Sequence, residues 1–342
     1  MTDTLANPLP LARKDFETDQ EVRWCPGCGD YAVLSQVQKL LPGLGIPREN
    51  FVVVSGIGCS SRFPYYVNTY GMHSIHGRAP AIATGLKLAR PELSVWVVTG
   101  DGDALAIGGN HFIHLMRRNV DLKILLLNNQ IYGLTKGQYS PTSERGKTTK
   151  STPQGSLERP LDPISLALGA GATFVARTHD MDRSHMQAVF RRAHEHHGTS
   201  LVEIYQNCNV FNDGAFSDIN SKESRAANLI NLRHGEPIRF GANDEFGVVG
   251  DDTGALAITT LGPENESRVV VHDEHLANPA RAFALARLMV SDHEPTPMGV
   301  FRDVDEPEYG DQISLQAAAS REARGEADLS KLLRSRGSWH VD

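Results

Sequence analysis

Two spacings of apolar residues organise the chain. Short, nearly unbroken runs at Phe51–Val54, Val95–Val98, Leu122–Leu127, Thr173–Ala176 and Leu201–Ile204 have strand length and read as strands buried on both faces. Between them the period lengthens. Val33, Leu34, Val37, Leu40 and Leu41 fall at helical spacing, with Asp30 placed to cap the helix and Pro42-Gly43 to stop it. Further helices are predicted near Pro80–Ala89, over about Asn110–Arg117 and over about Arg183–His196, with Pro163–Leu168 resuming the pattern after a long gap. Strand and helix alternating in this way predict a parallel α/β sheet with right-handed crossovers.

The interruptions are equally informative. Residues 1–20 have no period and read as an extended arm, and Met72–Arg78 reads as a loop. Gly133–Pro160 is rich in Gly, Ser, Thr, Lys and Pro, and a structureless loop of that length is expected to be functional. Beyond Phe216 the alternation is lost. Shorter β-like pieces such as Val269–Val271 and a helix near Pro279–Met289 suggest a smaller C-terminal extension over 217–310. It follows a main domain over 21–216 and precedes a charged, Ala-rich peripheral tail over 311–342.

Composition narrows the class. In 342 residues, 40% apolar and 22% charged content allows a large core and excludes global disorder. A balance of 34 basic to 41 acidic residues argues against a nucleic-acid or anionic-membrane surface. The apolar runs fall far short of the roughly 20 residues of a membrane span. The first 20 residues lack a secretory apolar segment, so a cytoplasmic protein is expected. Four cysteines rule out a disulfide scaffold.

The candidate chemistry sits at predicted strand ends. Gly100-Asp101-Gly102-Asp103 closes one strand and Asn128-Asn129 closes the next. In a parallel sheet those ends share the edge where ligands bind. A carboxylate and an amide oxygen there suit a hard cation such as Mg²⁺, and the glycines let backbone approach a diphosphate. A dinucleotide fingerprint is a poor rival, because neither Gly56-x-Gly58 nor Gly100-x-Gly102 completes G-x-G-x-x-G. The Gly-Asp-Gly, helix, Asn-Asn arrangement resembles the thiamine diphosphate enzymes. The resemblance implies Mg²⁺ held by Asp101, Asn129 and the backbone carbonyl of Ile131, with Gly100, Gly102, Asp103, Gly133 and Leu134 lining the diphosphate.

Cys25 and Cys28 form a C-x-x-C inside a Pro/Gly turn, and Cys59 and Cys208 each close a predicted strand. Four thiolates near one point would hold either zinc or a [4Fe–4S] cluster. Convergence on the cofactor edge favours the cluster, since an electron acceptor must lie near its donor.

Taken together, CPGCG, GIGCSSR, HGR, GDGD, NNQIYGLTKGQ and the SPTSERGKTTKSTPQG loop resemble the β subunits of 2-oxoacid:ferredoxin oxidoreductases, most closely the 2-oxoglutarate type. The resemblance implies a thiamine diphosphate-binding fold with a mainly parallel sheet flanked by helices, plus a smaller C-terminal extension. It implies thiamine diphosphate, Mg²⁺ and a [4Fe–4S] cluster as cofactors, and oxidative decarboxylation of 2-oxoglutarate with coenzyme A. It also implies an α subunit supplying the aminopyrimidine half of the cofactor site, and ferredoxin as electron acceptor. Ile57, Gly58, Cys59 and Ser60 match the family's cofactor-contacting stretch. His76 is a candidate for the diphosphate or a substrate carboxylate, and Arg62 for the distal carboxylate of 2-oxoglutarate. Lys136, Arg145, Lys147 and Lys150 are candidates to cover the diphosphate or face coenzyme A. The alternatives are a pyruvate or broad-range 2-oxoacid enzyme, a non-redox thiamine-dependent decarboxylase or synthase subunit with structural zinc, and an iron–sulfur electron carrier.

Overall fold

The apolar runs become strands in the computed structural model, which describes residues 11–251, 253–288, 295–339 and 341. They are β1 (Phe51–Ser55), β2 (Tyr70–His73), β3 (Ser94–Gly100), β4 (Lys123–Asn128), β5 (Phe174–His179), β6 (Ser200–Tyr205) and β7 (Leu229–Leu232). Strands β8 (Arg239–Phe240), β9 (Phe246–Gly250) and β10 (Leu256–Thr260) make a small antiparallel sheet, and β11 (Thr296–Asp303) returns to the large one. The large sheet has eight strands in the order β2-β1-β3-β4-β6-β5-β11-β7. Its pairings are parallel except that of β11 with β5.

Helices cover both faces. In chain order they are α1 (Asp30–Leu40), α2 (Phe63–Tyr66), α3 (Ala79–Ala89), α4 (Asp101–Leu105), α5 (Gly109–Arg118), α6 (Pro163–Gly169) and α7 (Arg183–Glu195). Then come the single turns α8 (Ser217–Asn220) and α9 (Arg225–Asn228), followed by α10 (Ala280–Ala286), α11 (Tyr309–Arg324) and α12 (Leu329–Leu333). Successive strand residues point to opposite faces, so each apolar run feeds two cores. Val52, Val54, Val95, Val97, Ile124 and Leu126 pack with α3, α5, α6 and α10. Phe51, Val53, Trp96, Val98, Leu125 and Leu127 pack with α1, α2 and α7.

The register fixes where loops emerge. Ser55 pairs with Val98, Gly100 with Leu127, Asn128 with Tyr205, and Tyr205 with His179. The C-terminal ends of β1, β3, β4, β5 and β6 therefore share one sheet edge. The chain leaves β1 outward to β2 and leaves β3 inward to β4, so a topological switch point, where such sheets open a crevice, falls between β1 and β3.

Several details depart from the pattern-based reading. The described part of the expected N-terminal arm packs onto the core. Arg13–Phe16 forms a 3₁₀ turn, Phe16 is fully buried, and Glu17 bridges to Val67. Asp30 is the first residue of α1 rather than its cap, and Gly29 holds the cap position. The expected loop at Met72–Arg78 begins inside β2, whose four residues are all exposed and so lack the burial signal of the other strands. Within residues 217–310, β7 and β11 join the main sheet while β8, β9 and β10 form the small one. Val269 and Val271 make isolated bridges rather than a strand. The expected helix near Pro279–Met289 appears as α10, with Met289 outside the described residues. The loop after β4 has only isolated bridges, at Tyr132–Gln138 and Thr149–Thr152. Helix α11 has no buried residue.

Phe16 anchors its segment by setting its ring edge against Phe51 at 5.7 Å between centroids. Phe16→Ala should lower unfolding free energy by about 3–5 kcal/mol, the usual cost of emptying a buried aromatic site. An unchanged urea midpoint would mean that this segment is dispensable to the core.

Candidate functional site

Asp101 follows the last residue of β3 and is buried. Its Oδ2 accepts hydrogen bonds from Ser140 Oγ at 2.5 Å and Thr142 Oγ1 at 2.6 Å. Burial pushes the Asp101 carboxyl above the ordinary carboxylate range, and the two hydroxyl donors only partly oppose this. A divalent cation would relieve that cost, so the donor set fits Mg²⁺. At the exit of the neighbouring β4, Asn129 sits in a turn in which Gln130 takes the left-handed region, at φ 56°. The Asn129 amide is oriented at both ends. Its Nδ2 donates to Gln206 Oε1 at 3.0 Å and its Oδ1 accepts from Ile131 N–H at 3.2 Å. That oxygen retains a lone pair for a cation.

The glycine of the Gly-Asp-Gly turn is required by crowding. A Cβ on Gly102 would lie 2.2 Å from Tyr132 Cε1, while Tyr132 Oη donates to the Gly102 carbonyl at 3.0 Å. Asp103 lines the same cavity, and its carboxylate is held by protein donors. Oδ1 accepts from Gly77 N–H at 2.8 Å and lies 2.6 Å from His76 Nδ1, and Oδ2 accepts from Thr99 Oγ1 at 2.8 Å. His76, half-exposed in the cavity wall, is thereby oriented by Asp103 and keeps Nε2 for another partner.

The four cysteines gather on this edge as free thiols. A Cβ placed on Gly133 would be 3.7 Å from both Cys59 Sγ and Cys208 Sγ. The Cys25–Cys28 turn is pinned to both of those loops. Trp24 Nε1 donates to the Cys59 carbonyl at 2.7 Å, Asn209 Nδ2 to the Pro26 carbonyl at 2.6 Å, and Gly29 N–H to the Asn207 carbonyl at 3.2 Å. Burial pushes the Cys59 thiol up to about 12 and the Cys28 thiol higher still. Thiolates so desolvated need a metal's positive charge, which fits a metal or cluster here. Among the described residues the four sulfurs are not gathered to within 4.8 Å of one another.

One cavity joins these parts. Its walls include Ile57, Gly58, Cys59 and Ser60 from the loop after β1, then Gly100 through Asp103, then Asn129, Ile131, Gly133 and Leu134. Arg62 lies outside it, in an adjoining cavity with Tyr65 and His73 that shares Ile57, Gly58 and Leu134. Lys147 is engaged within the protein, with Nζ 2.5 Å from Asn212 Oδ1 and 3.0 Å from Glu144 Oε1. The sequence reading missed the hydroxyls on Asp101 and the amide of Gln206. It also missed a buried acidic pair, Asp30 and Asp180. Burial and the Asp180 charge raise Asp30 to about 7, and Asp30 Oδ2 has no hydrogen-bond partner. The Ser140-Pro141-Thr142-Ser143 run was visible, but nothing local shows that it folds back onto Asp101.

Comparison with known proteins is consistent with this geometry. Residues 56–204 match the family described as thiamine pyrophosphate enzyme, C-terminal TPP binding domain. The chain is 57% identical over 335 residues to 2-oxoglutarate oxidoreductase subunit KorB of Mycobacterium tuberculosis, covering 97% of this chain and 89% of that one. It is 46% identical over 208 residues to the 2-oxoacid:ferredoxin oxidoreductase β subunit of a Sulfolobus species, covering 60% and 67%. Among solved structures, the 2-oxoglutarate:ferredoxin oxidoreductase of Magnetococcus marinus, determined with 2-oxoglutarate, coenzyme A and succinyl-CoA bound, superposes with a TM-score of 0.73. That match has 32% identity and covers 95% of each chain.

Thr142 ties the metal-type carboxylate to the sheet, since its Oγ1 also lies 2.9 Å from Asn128 Oδ1. If Asp101 holds Mg²⁺ for the diphosphate, Thr142→Val should weaken Mg²⁺-dependent thiamine diphosphate binding at least about tenfold, as expected when a hydrogen bond to a charged group is lost. Thr142→Ser should restore it. Equal affinities for wild type and the Val variant in calorimetry would remove Thr142 from the site.

Proposed function

Because the chain belongs to the 2-oxoacid:ferredoxin oxidoreductase β-subunit family, we propose that it is the diphosphate- and cluster-binding half of a 2-oxoglutarate:ferredoxin oxidoreductase. The reaction is 2-oxoglutarate, coenzyme A and two oxidised ferredoxins giving succinyl-CoA, CO₂, two reduced ferredoxins and a proton. The observation that carries this reading is a single cavity bordered by the Asp101–Asn129 pair on one side and by Cys59 beside Gly133 on the other. A thiamine site alone does not call for thiols, and a remote structural metal site would not share a wall with Asp101.

In this reading Asp101, Asn129 and the Ile131 carbonyl hold Mg²⁺, and the backbone at Gly100, Gly102, Gly133 and Leu134 receives the diphosphate. Thiamine diphosphate, when bound, supplies the electron sink for decarboxylation of a 2-oxoacid. The protein's own part is positional. Ser140 and Thr142 hold the Asp101 carboxylate, Asp103 aims His76, and Tyr132 packs against the Gly102 turn. Residues Ile57 and Leu134 make the wall apolar and help to exclude water, which protects a reactive carbon from protonation. Cys25, Cys28, Cys59 and Cys208 hold a [4Fe–4S] cluster. The partners are an α subunit, which completes the thiamine site, and ferredoxin, and the setting is cytoplasmic. Among the described residues no helix is long and apolar enough to cross a membrane. For substrate choice, Arg62 in the adjoining cavity meets the distal carboxylate of 2-oxoglutarate.

The test is anaerobic co-purification with the α subunit, followed by a 2-oxoacid panel with coenzyme A and a viologen acceptor. Viologen reduction should be fastest with 2-oxoglutarate, and none with any 2-oxoacid would sink the proposal. Cys208→Ser should lose iron and the dithionite-bleached visible band while the far-UV spectrum stays native. Full iron content would show that Cys208 is not a ligand. Arg62→Leu should raise KM for 2-oxoglutarate at least about tenfold, roughly 1.4 kcal/mol, and affect pyruvate turnover much less. Equal losses on both substrates would instead assign Arg62 to the loop or subunit interface.

A further inference from the structure

A second cluster of metal-type side chains lies in the C-terminal part of the chain, among groups that the proposed reaction does not use. The segment His272–His275 pairs with the turn after β7. Gly235 N–H donates to the His272 carbonyl at 2.8 Å and His272 N–H to the Glu236 carbonyl at 2.9 Å. This pairing brings His234 of the turn against Glu274 and His275. Glu274 Oε1 is 3.9 Å from His234 Nδ1 and 3.6 Å from His275 Nε2, and one ligand atom from each residue lies within 4.8 Å of the other two. These separations are too long for hydrogen bonds.

The anchoring of His275 turns its second ring nitrogen into this gap. His275 Nδ1 lies 2.6 Å from the Asp303 carbonyl, which can only accept, so Nδ1 carries the proton. Nε2 is left free of any hydrogen bond and stands 3.6 Å from the Glu274 carboxylate, a gap that a shared cation would bridge. A carbonyl-anchored imidazole is also the usual outer-shell support of a metal ligand. The carboxylate is equally well placed. Glu274 is buried, and Arg192 Nη1 and Nη2 hold its two oxygens at 2.9 Å each. Asp303 Oδ2, 2.7 Å from the same guanidinium, balances the Arg192 charge. Asp273 Oδ1 adds negative charge 3.7 Å from His234 Nδ1. Next to the cluster, buried His272 donates from Nε2 to the Val300 carbonyl at 2.7 Å, and its Nδ1 has no hydrogen-bond partner.

We propose that His234, Glu274 and His275 bind a divalent transition ion of the zinc class. Bonds of about 2.0–2.1 Å in a near-tetrahedral site put ligand atoms roughly 3.3 Å apart. Glu274 Oε1 therefore needs to close by about 0.3 Å on His275 Nε2 and by about 0.6 Å on His234 Nδ1, and the two imidazole nitrogens, which lie within 4.8 Å, by up to about 1.5 Å. Two imidazoles and one carboxylate suit zinc better than Mg²⁺ or Ca²⁺, which prefer oxygen. The half-exposed imidazoles leave the fourth position to water. A bound ion would clamp the turn after β7 to the end of β11 and, through Arg192, to α7. That role is structural, and it is independent of the thiamine site.

The test uses the full-length chain with its α subunit, anaerobically purified and briefly chelated, and Zn²⁺ as the probe. Comparing wild type with the His234→Ala variant subtracts any zinc held by the cysteines. Wild type should bind one more equivalent than the variant, or bind it at least tenfold more tightly, and zinc should raise the Tm of wild type more than that of the variant. His275→Ala should behave the same way. It also removes the bond to Asp303, so His234→Ala, which changes a half-exposed side chain, decides the matter if the other variant folds poorly. Identical zinc stoichiometry, affinity and Tm response in wild type and His234→Ala would overturn the proposal.

Discussion

Parallel pairing in a common register is the constraint on which the site depends. Because Ser55 pairs with Val98, Gly100 with Leu127 and Asn128 with Tyr205, the chain must leave β1, β3, β4 and β6 at one level. Each of these exits carries one component: Cys59 after β1, Asp101 after β3, Asn129 after β4, and Gln206 and Cys208 after β6. A slip of one residue in any strand would exchange its core faces and rotate its exit away from the crevice. The apolar alternation that builds two cores therefore also holds the polar site in alignment. Residues such as Val53 and Val54, far from any chemistry, help to set its geometry.

A second constraint acts beneath the cavity. Arg177 and Glu203 form an ion pair of 2.6 Å with both side chains essentially inaccessible. Burial works against the Arg177 charge, but Glu203, Tyr205 and Asp162 together more than offset it and keep the guanidinium ionised. Glu203 Oε1 also accepts from Asn128 Nδ2 at 2.7 Å, which turns Asn128 Oδ1 toward Thr142 and so toward Asp101. A buried charge pair is an uncertain source of stability, though removing one partner typically costs about 3–5 kcal/mol. Its value here is specificity of arrangement. It fixes the orientation of an amide that would otherwise be free to flip, and through that amide it fixes the face on which the Asp101 hydroxyl donors gather.

This layering explains what was legible in the sequence. The α/β class was legible because buried parallel strands are written as apolar runs. The metal-type residues stood out because the chemistry of such folds concentrates at strand ends. Strand β2 was hidden because its four residues are exposed, and Phe16 because one aromatic residue in a period-free segment has no pattern around it. Strand β11 was hidden differently. It joins β5 antiparallel after a long excursion, and no local signal announces a partner more than a hundred residues away. Ser140 and Thr142 were illegible for the same reason. Their hydroxyls matter only because the long loop returns to Asp101, and that return is a tertiary fact.

The charge around the crevice gives the arrangement its sense. Asp30, Asp101 and Asp180 are all desolvated, and burial raises the carboxyl of each. The thiols of Cys28 and Cys59 are raised in the same way. A wall of acids is a poor host for a diphosphate by simple attraction. It becomes a good host when a divalent cation stands between carboxylate and phosphate, and when the thiols surrender their protons to a metal centre. In the proposed enzyme a negatively charged ligand would thus be met through groups that are themselves acidic, with cations as the intermediaries. Affinity for the diphosphate and affinity for the cation then rise and fall together, because each neutralises what the other cannot face alone.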